Sequence, residues 1–87
     1  MNLFQIVAEG AMRAMADIAK EKAIALDTNK AVEALKTETK AGWVDMQEHL
    51  RDAVEARMGE AIYREILNVN CFMFATRALK RCGYLPN

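Results

Sequence analysis

The segment from Gly59 to Cys82 limits what this chain can fold into more than any other part of it. Ile62, Ile66, Val69 and Met73 recur at steps of four and three, so they form one row on a helix. Tyr63, Leu67, Cys71, Phe74 and Ala78 form a second row, and Phe72 and Leu79 widen the apolar surface further. A helix with one covered side shows one stripe; two stripes require cover on two sides. The end of this helix is also written in local chemistry. Arg77, Lys80 and Arg81 suit the negative end of the helix dipole. Gly83 fits the left-handed position after the cap, Tyr84 is placed to fold back onto Leu79, and Pro86 prevents continuation.

Two further helices precede it. Phe4, Val7, Ala11, Ala14, Ile18 and Ala25 follow helical spacing, with Leu3, Met15 and Ala19 widening the stripe, which predicts a helix over residues 3–26 capped by Asn2. Gly10 interrupts that helix at a cost of about 1 kcal/mol, which close packing against another helix would explain. Its other face mixes Glu9, Arg13, Asp17, Lys20 and Glu21, an ordinary solvated surface. Asp27, Thr28 and Asn29 are turn and cap residues. A middle helix over residues 29–58 then carries Val32, Leu35, Thr39, Trp43, Met46, Leu50, Val54 and Met58, with a kink or short interruption expected at Ala41-Gly42. The third helix follows over 59–82, although the periodicity runs across Gly59 without a break. The expectation is an all-α small three-helix bundle or long helical hairpin. Helices of about 24, 30 and 24 residues would measure roughly 36–45 Å.

Size restricts what such a bundle can bury. At 87 residues the chain is one domain, and folding hides roughly 60–65% of its unfolded surface. The 53% of hydrophobic residues includes fifteen alanines, which favour helix and close approach but contribute little burial. Staples are not available. Cys71 and Cys82 share a helix about 16 Å apart along its axis, whereas a disulfide needs Cα atoms within about 7 Å. Two free thiols and no signal-peptide pattern point to a reducing, cytoplasmic setting. Partner subunits are then the more attractive source of extra burial.

Reactive groups are few. Serine is absent, the four glycines are isolated, and no phosphate-binding loop is present. His49 is the only histidine; with Asp45 and Asp52 it offers one imidazole and two carboxylates, without the second histidine of a HExxH pair. Cys71 lies in the apolar stretch as a small core residue, and Cys82, beside Arg81, is the more reactive thiol. No catalytic set, cofactor or metal is expected. Lys plus Arg and Asp plus Glu number 12 each, so no net field recruits nucleic acid or an acidic membrane. Residues 29–50 can be drawn as a helix-turn-helix with Thr37-Glu38-Thr39 as the turn, but Glu38, Asp45 and Glu48 would then face phosphates. Helix one is amphipathic, yet its mixed-charge polar face is not that of an interfacial anchor. No apolar run approaches a membrane span.

What remains is binding to protein, either to itself or to a larger partner. The surface expected to carry it is Tyr63, Leu67, Phe72, Met73, Phe74, Arg77, Lys80 and Arg81 of the last helix. Aromatic side chains anchor interfaces, and methionines repack against varied surfaces. A short, neutral, serine-free helical chain is the style of accessory protein that phages and mobile elements encode, acting as an inhibitor by occupying a host protein. The alternatives are an assembly subunit of a larger particle and a small nucleic-acid-binding regulator.

Overall fold

The computed structural model describes residues 2–87, which form three α-helices and no strand. Helix α1 spans Leu3–Glu21, α2 spans Thr28–Glu55 and α3 spans Glu60–Arg81. Each start has a local cause. At α1, the Asn2 side chain accepts from the Gln5 amide at 2.9 Å, while the Gln5 side chain accepts from the Asn2 amide at 3.0 Å. At α2, the Asp27 carboxylate accepts from the Lys30 amide at 3.2 Å. Gly59 is the N-cap of α3 and supplies no side-chain bond.

All three helices end in the same way. Ala23, Arg57 and Gly83 take φ values of 54°, 55° and 81°. The next amide in each case reaches back five residues: Ile24 to Ala19, Met58 to Ala53, and Tyr84 to Leu79, at 2.8–3.0 Å. Only the third ending uses glycine. For that reason α1 closes at Glu21 and not at residue 26, and α2 at Glu55 and not at 58; Leu26 still packs on the core, but from the connection.

Helix α3 is central. It packs along both α1 and α2, whereas α1 and α2 meet only sparingly. Helix α2 runs antiparallel to α3: Asp27 lies by Tyr84, Gly42 by Phe74, and His49 by Ile62 and Ile66. The first turn of α1 reaches Trp43, so α1 covers only the first part of α2. Beyond it, the second half of α2 and the first half of α3 continue as a two-helix hairpin, within overall extents of 42 × 27 × 23 Å.

The core is formed by Val7, Ala11 and Met15 of α1, Ala31, Ala34, Leu35 and Met46 of α2, and Cys71, Phe74, Ala75, Ala78 and Leu79 of α3. Its alanines let the helices approach, and two glycines act as sockets. A Cβ on Gly10 would sit 2.8 Å from Cys71 Sγ, and one on Gly42 would sit 2.5 Å from Phe74 Cε1. Gly10 thus has the packing reason its position suggested. Gly42 does not break α2, which is continuous through it and through Thr37-Glu38-Thr39; no helix-turn-helix turn exists there. Val54 and Met58, assigned to the middle stripe by periodicity, are 55% and 50% exposed because α1 does not extend over them.

The C-terminal segment closes one end. The Asp27 amide donates to Tyr84 Oη at 2.9 Å, and Cys82 Sγ donates to the Lys30 carbonyl at 3.6 Å. Lys30 Nζ lies 5.7 Å from the Tyr84 ring centroid.

Candidate docking surfaces

The residues expected to face a partner divide between inside and outside. In the row Tyr63, Leu67, Cys71, Phe74 and Ala78, the last three are buried and the first two half-buried. Phe74 is fully enclosed and belongs to the core, so it is not available to a partner. The row Ile62, Ile66, Val69 and Met73 lies on the other side of α3. Ile62 and Val69 are 39% and 58% exposed, Phe72 beside them is 58% exposed, and Ile66 and Met73 are half-buried. A hollow of about 270 Å³, lined by Ile62, Ile66, Val69, His49, Glu65 and Asn70, follows this row where it meets α2. Asn70 is buried, and its amide donates to the Ile66 carbonyl at 2.8 Å.

Arg77, Lys80 and Arg81 are exposed at the other end of α3. They do not act as one cationic patch, because Arg81 Nε donates to Glu38 Oε1 at 3.0 Å. The Glu38 side chain is only 14% exposed, so this carboxylate is held mainly by that guanidinium. Glu60 and Arg64 pair at 2.8 Å on the surface, a contact worth under about 1 kcal/mol.

A second apolar surface was not anticipated from the sequence. Because α1 and α2 touch only sparingly, a groove opens between them. One hollow of about 440 Å³ is lined by Phe4, Lys36, Thr39, Lys40, Trp43 and Val44. An adjoining one of about 110 Å³ shares Phe4, Lys36 and Thr39 and adds Ala8, Met12, Val32 and Leu35. Phe4 and Met12 are 55% and 46% exposed, and the Phe4 and Trp43 rings meet at 5.7 Å between centroids. Periodicity placed Phe4, Val32 and Trp43 on inward stripes. The signal that was present is the breadth of α1's apolar arc, which extends to Ile6 and Met12, further than one neighbouring helix can cover.

Chemically reactive groups are not gathered anywhere among the described residues. No cluster of three His, Cys, Asp or Glu side chains is placed to hold a metal ion, and His49 is exposed. Both cysteines are free thiols. Burial pushes the Cys71 thiol above its ordinary range, with Arg13 partly opposing the shift, and its Sγ donates to the Val7 carbonyl at 3.5 Å. No helix among the described residues is long and apolar enough to cross a membrane. Comparison of the chain with protein-family models, curated proteins and solved structures found no match.

Proposed function

We propose that this is a non-enzymatic helical binding protein that self-associates through the outer face of α3. The observation that carries the reading is the row Ile62, Ile66, Val69 and Met73, in which Ile62 and Val69 are exposed, with the exposed Phe72 at its edge. Steps of four, three and four are the spacing of a helix–helix seam, in which side chains of one helix insert between those of the other. Contiguous apolar surface of this kind marks an interaction site.

The charges around the row favour a second copy as its occupant, lying antiparallel. Glu65 flanks the row in the first half of α3, and Arg77 and Lys80 flank it in the second half. An antiparallel pair sets the acidic half of one helix beside the basic half of the other, twice, and opposes the two helix dipoles. Such a pairing is isologous and closes at two copies. Covering a half-exposed Val, Ile or Phe contributes about 1 kcal/mol, so Ile62, Val69 and Phe72 on both copies together supply roughly 6 kcal/mol. Association itself costs about 4–15 kcal/mol. The dimer is therefore concentration-dependent and not obligate.

Sedimentation velocity from micromolar to millimolar protein tests this reading. The expected outcome is a monomer–dimer shift that Val69→Glu suppresses while circular dichroism stays unchanged. A wild-type chain that remains monomeric throughout would contradict it.

A further inference from the structure

We infer that the groove between α1 and α2 receives an acidic amphipathic helix from a different protein. The inference rests on different residues from the self-association surface and goes beyond it. Helix α3 packs on one side of α1 and α2, and among the described residues no other helix covers the groove. A helix laid there would touch both and complete a four-helix arrangement. From Val32 to Val44 the floor along α2 measures about 18 Å, the length of roughly three helical turns. Over that length the floor and walls are apolar, with Phe4, Met12, Leu35 and Trp43 as the larger side chains. Three turns of an amphipathic helix present about as many anchoring side chains as this floor can seat.

Charge at the rim selects the sign of the partner. Among the described residues, the charged ones lining the groove are Lys36 and Lys40. Lys36 is shared with Glu33 at 3.4 Å on the solvent side, while Lys40 has no carboxylate within ion-pairing distance among the described residues. Carboxylates flanking the apolar stripe of an incoming helix would meet both ammonium groups. A second copy of this chain is a poorer fit, because the outer row of its α3 carries one flanking carboxylate, Glu65, against Arg77 and Lys80, and these two would face lysine.

Trp43 is the only tryptophan and lies in the groove, so its emission reports occupancy directly. The probes are two synthetic tryptophan-free helical peptides with the same leucine and phenylalanine stripe, one flanked by glutamate and the other by lysine. The glutamate peptide is expected to shift Trp43 emission and to bind at least tenfold more tightly than the lysine peptide, with the difference shrinking as salt is raised. The Lys36→Glu/Lys40→Glu double variant, at two exposed positions, is expected to reverse the preference. Phe4→Ala should weaken both peptides while leaving the helical signal intact. Val69→Glu should leave peptide binding unchanged, which separates this inference from self-association. No emission change with either peptide, equal binding of both, or an unaltered preference in the double variant would overturn it.

Discussion

The ring of Phe74 occupies the space that a side chain on Gly42 would need: a Cβ there would lie 2.5 Å from Cε1 and 3.1 Å from Cζ. This one relationship fixes the register between α2 and α3. Helix propensity alone favours alanine over glycine by about 1 kcal/mol. The overlap with a fully buried aromatic ring outweighs it, since forcing volume into a packed core costs about 1–3 kcal/mol.

Gly42→Ala should accordingly destabilise the protein, by up to about 2 kcal/mol, as read by chemical denaturation. Shrinking the ring in the double variant Gly42→Ala/Phe74→Leu should recover part of the loss, a coupling absent from two independent changes. Gly10→Ala faces the smaller Cys71 sulfur at 2.8 Å and should cost less than Gly42→Ala.

The two left-handed residues that are not glycine give a prediction of opposite sign. Ala23 and Arg57 hold φ near 54° and 55° at helix ends where glycine is the usual occupant. Ala23→Gly and Arg57→Gly should each raise stability by about 0.5–1 kcal/mol, while Gly83→Ala should lower it by a similar amount. Thermal denaturation of the three single variants checks the signs.

These endings also show why the helix boundaries were only partly legible. The α3 terminus was legible because glycine, tyrosine and proline announce it at Gly83, Tyr84 and Pro86. The ends of α1 and α2 rest on an alanine and an arginine in a conformation neither prefers, stabilised by Ile24 and Met58 amides reaching back to Ala19 and Ala53. Apolar periodicity runs through both points, so it overran each helix by a few residues. The two rows of α3 were readable because they repeat cleanly along one helix. The groove was not, because periodicity reports that Phe4 and Trp43 face a neighbour without reporting that α1 and α2 touch only sparingly.

Tyr84 ties the C-terminal segment to the start of α2 through a single hydrogen bond, its hydroxyl accepting from the Asp27 amide at 2.9 Å. Tyr84→Phe should cost about 0.5–1.5 kcal/mol and speed amide hydrogen exchange at Asp27 selectively. Unchanged exchange at that amide would show that the bond contributes nothing.

The buried thiol gives the protein an alkaline sensitivity. Cys71 titrates above its ordinary range when folded, so above pH of about 8.5 the unfolded chain releases this proton before the folded one does. Stability is full below that pH and falls as pH rises towards the folded-state value. Denaturant midpoints should therefore drop from pH 8 to 10 in wild type, and less so in Cys71→Ala. Alkylation under native conditions should label the half-exposed Cys82 well before Cys71.

Self-association through the outer face of α3 is tested most directly by amide chemical shifts followed through a dilution series. On dilution, shifts should move around Ile62, Val69, Phe72 and Met73 with one common dissociation constant, while Phe4 and Trp43 stay in place. Val69→Glu should hold the outer-row shifts at their dilute-limit values. Concentration-independent spectra, or movement centred on the α1–α2 groove, would contradict the account.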